Sequence, residues 1–135
     1  MSNRKLVALV VEDNLVILMG AVDSVAVAGF EVLGAGSADE AIRILEGRPD
    51  IHLVFTDVGM PGTMDGIKLA HYIRDRWPAV KLIVTSGKIT FDEGHLPMGA
   101  RFFSKPYDDS AIVEAMMGML SEANGADAQT IRPWR

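Results

Sequence analysis

Leu6-Val7-Ala8-Leu9-Val10-Val11 leads directly into Glu12-Asp13-Asn14. The apolar run is short and continuous, which reads as a strand buried on both faces, as in a parallel sheet. From Leu15 to Ala28 apolar residues recur at helical spacing, and Gly29 stops that helix. A buried strand that ends in two acids and passes straight into a helix is the first half of a βαβ unit.

The same alternation continues outward. Glu31 to Leu33 is a short second strand. Ser37-Ala38-Asp39-Glu40 has the form of a capping box and opens a helix through about Glu46, closed by Gly47 and Pro49. Ile51 to Thr56 is a third strand that ends at Asp57. The loop Val58 to Gly66 holds three glycines and a proline, which disfavour a helix there. Ile67, Ala70, Ile73 and Trp77 mark one helical face, ended by Pro78. Val80 to Thr85 is a fourth strand and Arg101 to Ser104 a fifth. Between them, Ile89 to Ala100 contains Gly94, Pro97 and Gly99 and admits only a short helix. Asp108 or Asp109 caps a last helix with Ile112, Met116 and Met119 on one face. Residues 1–122 then form one domain, and residues 123–135, small and polar, form a tail. The expected fold is α/β: a doubly wound five-stranded parallel sheet with helices on both faces.

Composition narrows the function. The chain has 135 residues, about half of them apolar, and a formal net charge of -5 at pH 7. That is enough to bury a core, and it lacks the basic footprint that nucleic acid requires. With no cysteine there are no disulfides, thiolate metal sites or cysteine nucleophiles. Glu12, Asp13 and Asp23 interrupt the early apolar region, so no run reaches the length of a membrane span. The expectation is a soluble cytoplasmic protein. His52, His71 and His95 are scattered without metal or triad spacing and read as surface residues, and Trp134 lies in the tail.

The polar residues that stand out occupy the same place in successive units. Glu12 and Asp13 follow strand one, Asp57 follows strand three, Thr85 ends strand four and Lys105 follows strand five. In an open α/β sheet the ligand crevice lies at the carboxyl ends of the strands, where the strand order reverses. With the order 2-1-3-4-5, strands one and three are neighbours at that point, and all five residues converge. Crowded carboxylates repel one another unless a cation joins them. Oxygen ligands without histidine or cysteine suit a hard ion, Mg²⁺ or Mn²⁺. With an ammonium and a hydroxyl beside it, Asp57 becomes a nucleophile in a phosphoryl-binding pocket.

At Val10-Val11-Glu12-Asp13-Asn14, Thr56-Asp57-Val58-Gly59-Met60-Pro61-Gly62, Met64-Asp65-Gly66, Val84-Thr85-Ser86-Gly87 and Ser104-Lys105-Pro106-Tyr107 the chain resembles the receiver domains of two-component response regulators, from about Lys5 to Leu120. The resemblance implies a flavodoxin-like fold of the CheY type and Asp57 as phosphoacceptor. It implies metal ligands Glu12, Asp13, Asp57 and the carbonyl of Gly59, with Thr85 and Lys105 assisting. Thr85 and Phe102 would act as switch residues, and the Lys105-Pro106 bond would be cis. The donor would be a histidine kinase or histidine phosphotransfer protein, and the reader a downstream protein. A homodimer is compatible with this pattern; nucleic acid and membrane are not expected partners. The chain departs from the pattern at Glu12, where aspartate is frequent, at Phe102, where tyrosine is frequent, at Ser86, where alanine is common, and at Thr63, which resembles an inserted loop residue. Gly59 and Gly87 stand two beyond Asp57 and Thr85, where the resemblance implies tuning of dephosphorylation. Two glycines there predict an unshielded phosphoaspartate that hydrolyses readily.

Other readings compete with this one. Glu12 and Asp13 could serve only as acids near a helix N-terminus. Phe102 and Met116, Met117 and Met119 could be core packing alone. A haloacid-dehalogenase-like phosphatase would need a second acid two residues after the nucleophile, where Gly59 stands. Flavin or dinucleotide binding lacks its glycine-rich turn. A degenerate receiver that only binds partners is the main alternative. The leading expectation is a stand-alone receiver, a signalling phosphoacceptor rather than an enzyme.

Overall fold

The computed structural model describes residues 5–59, 66–87 and 93–128. In chain order its elements are β1 (Val7–Val11), α1 (Leu15–Val27), β2 (Glu31–Ala35), α2 (Ala38–Gly47), β3 (Leu53–Asp57), α3 (Gly66–Arg76), β4 (Lys81–Ser86), a 3-10 turn (Glu93–His95), β5 (Arg101–Ser104) and α4 (Asp109–Ala128). All four strand pairings are parallel and the order is β2-β1-β3-β4-β5. This is the expected doubly wound, flavodoxin-like sheet.

The pleat of β1 explains how one apolar run serves two cores. Val7, Leu9 and Val11 face α2 and α3, packing with Ala41, Leu45, Leu69 and Ile73. Ala8 and Val10 face α1 and α4, packing with Val25, Ile112 and Met116. Successive side chains in a strand point to opposite faces, so a strand covered on both sides must be apolar throughout. β3 and β4 follow suit, with Val54, Leu82 and Val84 in the first core and Leu53, Phe55 and Ile83 in the second.

Local signals fix the helix ends. Asn14 Oδ1 accepts from the Ile17 amide at 3.1 Å and caps α1. Gly29, at φ 107°, supplies the left-handed turn that ends it. Ser37 Oγ accepts from the Glu40 amide at 3.1 Å, and Glu40 reaches back to the Gly36 amide at 2.8 Å. At α4 the cap is Asp108, whose Oδ1 accepts from the Ser110 amide at 3.1 Å. Asp109 instead accepts from Ser24 Oγ of α1 at 2.7 Å.

Several boundaries differ from the sequence reading. β2 continues through Gly34 to Ala35, because Gly34 pairs with Val10 and a side chain there would meet Leu18 Cδ1 at 3.4 Å. β3 begins at Leu53, since the Ile51 amide closes a turn onto the Arg48 carbonyl. α4 runs through Ala128, past residue 122, where a tail was expected. Its added turns contain Glu122, Ala123, Ala126 and Ala128, and one glycine inside a helix costs only about 1 kcal/mol. Among the described residues, the β4–β5 connection carries only the 3-10 turn. The loop residues Met60 to Asp65, with Thr63, lie outside the described residues, as do residues 88–92 and Trp134. No described helix is long and apolar enough to cross a membrane.

Candidate functional site

Glu12 and Asp13 follow the end of β1, the first buried and the second exposed. The Glu12 amide bonds the Ala35 carbonyl at 3.0 Å, which extends the β1–β2 ladder by one residue and turns Glu12 inward, where it is 5% exposed. Its Oε2 accepts from the Asn14 amide at 3.1 Å. Asp13 is exposed. Asp57, the last residue of β3, is 7% exposed and stands in register with Thr85 of β4. The Val58 amide bonds the Thr85 carbonyl at 2.8 Å, and Thr56 Oγ1 donates to the Asp57 carbonyl at 3.1 Å. The Asp57–Val58 peptide is therefore held at both its carbonyl and its amide. Lys105 follows β5, and its amide bonds the Ser86 carbonyl at 2.8 Å. The Lys105-Pro106 peptide is cis.

These residues come together. One carboxylate oxygen from each of Glu12, Asp13 and Asp57 lies within 4.8 Å of the others. Lys105 Nζ lies 3.2 Å from Asp57 Oδ2 and 3.5 Å from Glu12 Oε1. Burial pushes the Glu12 carboxyl above its usual range; the Asn14 amide and Lys105 pull it down, and Asp57 and Asp13 push it further up. One ammonium among three acids leaves a net negative, oxygen-only donor set. Such a set fits a hard divalent cation and does not suit a soft one.

A half-buried Tyr107 closes the inner wall. Its ring meets Phe55 edge-on, with centroids 5.6 Å apart. It borders a small void with Glu12, Asp57 and Thr85, and also an open cleft of about 510 Å³ lined by Ile17, Gly20, Ala21 and Pro106. Burial, aided by the charges of Asp109, Glu12 and Asp57, pushes its phenol up to about 12. The sequence reading gave Tyr107 no role; its place two residues after Lys105 was the available signal. Phe102, opposite Val84 in the β4–β5 ladder, is half-buried, and Gly59 is exposed just beyond Asp57.

The histidines are only partly as expected. His71 and His95 are exposed, and His71 Nε2 bonds the His95 carbonyl at 2.6 Å. His52 is half-buried instead, and its Nδ1 accepts from the Val7 amide at 3.0 Å. Its imidazole lengthens the β1–β3 ladder, a contact between distant residues that no local pattern marks.

The response regulator receiver domain family matches residues 8–117. The response regulator FleR of Pseudomonas aeruginosa is 30% identical over 109 residues, 78% of this chain and 23% of its own length. The chain thus spans under a quarter of that relative. A CheY-like receiver from Methanospirillum hungatei superposes with a TM-score of 0.83 at 23% identity, covering 90% of this chain and 98% of that one. A CheX-CheY complex with BeF3 and Mg²⁺ from Borrelia burgdorferi gives 0.76 at 26% identity, covering 85% and 89%.

Proposed function

Because the chain belongs to the response regulator receiver domain family, we propose that Asp57 accepts a phosphoryl group from the phosphohistidine of a histidine kinase or phosphotransfer protein and passes the signal to a protein partner by conformational change. The observation that carries this reading is the position of Lys105 Nζ, 3.2 Å from the Asp57 carboxylate at the mouth of the acidic cluster.

The chain's own groups divide the work. A carboxylate oxygen of Asp57 attacks phosphorus in line as the P–N bond to the donor imidazole breaks, and the bonding pair leaves with that nitrogen. The product is an acyl phosphate. Lys105 neutralises charge on the transferring group. Thr85 donates its hydroxyl to a phosphoryl oxygen, and the β4 end that carries it moves with that bond. Phe102, in the neighbouring strand, repacks with it and alters the surface a partner reads. Glu12, Asp13, Asp57 and the Gly59 carbonyl would hold Mg²⁺ or Mn²⁺, which when bound supplies further charge neutralisation on the phosphoryl oxygens. The CheX, BeF3 and Mg²⁺ of the Borrelia complex support a site of this kind and a protein reader.

Intact mass tests this after incubation with acetyl phosphate or phosphoramidate, with and without Mg²⁺. The expected result is a Mg²⁺-dependent gain of one phosphoryl group that Asp57→Asn abolishes. No gain under any condition overturns the reading in favour of an interaction module that works without phosphorylation.

A further inference from the structure

We propose that Gly66 is a positioning residue for the acceptor: its bare Cα lets the first turn of α3 rest directly on the Asp57–Val58 peptide, and this backbone contact sets where the Asp57 carboxylate stands relative to Lys105. The inference rests on Asp57 being the phosphoacceptor.

Gly66 is the first residue of α3 and is buried. Its amide donates to the Val58 carbonyl at 3.0 Å. A Cβ at this position would run into the Asp57 carbonyl oxygen and would lie 2.7 Å from Val58 Cα and 2.8 Å from the Asp57 carbonyl carbon. Real Cβ atoms essentially never come so close, and the obstacle is backbone, which cannot rotate aside. The same peptide is fixed on its other side by the Val58 amide on the Thr85 carbonyl at 2.8 Å. The acceptor's main chain is therefore clamped between α3 and β4, and the α3 jaw closes only over glycine. Gly20 and Gly47 show no such constraint, since among the described residues nothing beyond their own helix lies within 4 Å of a Cβ at either. A side chain at 66 must push the Asp57–Val58 peptide or the start of α3 away. Displacing a reacting group by ~1 Å can cost about a hundredfold in rate.

The test is a kinetic cycle of Gly66→Ala and Lys105→Met at saturating Mg²⁺ and acetyl phosphate, with Gly47→Ala as control. Gly66→Ala is expected to slow phosphorylation by about tenfold or more, Gly47→Ala to leave it unchanged, and Lys105→Met to have little further effect once Gly66 is changed. A loss of stability alone would not produce that non-additivity. Additive effects, or a Gly66→Ala chain phosphorylated at the native rate, would overturn the proposal. If the alanine variant does not fold, the native chain decides: its Gly66 amide resonance should shift together with that of Val58 during Mg²⁺ titration. A Gly66 resonance that stays still while Val58 moves would overturn the proposal equally. A native chain that takes no phosphoryl group defeats the phosphoacceptor reading itself, while the Mg²⁺ titration still reports on the clamp.

Discussion

Lys105 reaches across β4 to stand 3.2 Å from Asp57: the two residues follow β5 and end β3, and β4 lies between those strands in the sheet. The crossing runs over Gly87, where an added Cβ would already touch the lysine stem at 3.9 Å. A long, mobile side chain is thereby held over the one carboxylate that ends a central strand.

That placement gives Lys105→Met two opposite effects. Phosphorylation by acetyl phosphate should slow by about tenfold or more, because charge on the transferring group is no longer neutralised. Mg²⁺ affinity should rise, since the ammonium no longer competes for the carboxylates. Isothermal titration with Mg²⁺ checks the second effect, and a weaker affinity would refute it.

Glu12 should make cation-free stability depend on pH. Its folded carboxyl is raised above the ordinary 4.5, chiefly by burial. In the window between the two values the folded chain keeps a proton that the unfolded chain has lost. Stability in EDTA therefore falls as pH rises through that window, and Glu12→Gln should flatten the fall. Urea midpoints measured in EDTA from pH 4 to 8 on both chains provide the comparison. Glu12→Gln should also weaken Mg²⁺ binding by roughly tenfold, about 1.4 kcal/mol.

Gly59 stands two residues beyond Asp57, and among the described residues nothing lies within 4 Å of an added Cβ. A Gly59→Leu chain should therefore fold normally and shield the phosphoryl group from water. Its phosphoprotein should persist roughly threefold longer, equivalent to about 0.7 kcal/mol in the barrier. Intact mass followed over time after donor removal measures it. Unchanged decay would show that water reaches the phosphoryl group by another side.

Tyr107 should titrate late. Its phenol is pushed up to about 12, whereas an ordinary tyrosine titrates near 10. In a Tyr72→Phe chain, where Tyr107 is the remaining tyrosine, the alkaline absorbance step should come near 12. The sign for stability is a loss as pH rises from about 10 towards 12, because there the unfolded chain releases a proton that the folded chain keeps. A step near 10 would place the ring in open solvent.

Arg74 fastens three pieces of backbone. Its guanidinium donates to the carbonyls of Met98 at 3.2 Å, Pro78 at 2.9 Å and Val80 at 2.8 Å. Arg74→Lys keeps the charge but loses the fork that serves all three, so both Arg74→Lys and Arg74→Ala should destabilise the chain, the alanine variant by about 2 kcal/mol. Urea denaturation measures the loss, and hydrogen exchange should rise first in residues 95–100.

The order of the sheet and the residues that gather at its carboxyl edge were already legible in the sequence. β1 is apolar throughout, and β3 and β4 carry the apolar stretches Leu53-Val54-Phe55 and Leu82-Ile83-Val84, because both faces of the sheet are covered; Glu12, Asp13, Asp57, Thr85 and Lys105 stand out because each sits at or just beyond a strand end. Caps such as Asn14 and Ser37 were legible for the same reason: their chemistry is local, within three or four residues. Tertiary structure decided everything that depends on which distant backbones meet. Gly66 reads only as the end of a loop motif until α3 is laid on the Asp57–Val58 peptide. His52 reads as a surface residue until its imidazole meets the Val7 amide, and Tyr107 as part of a motif until it walls the acid pocket. Residue periodicity records which face of an element is buried, but the distance between two side chains on different elements is set only when the elements pack.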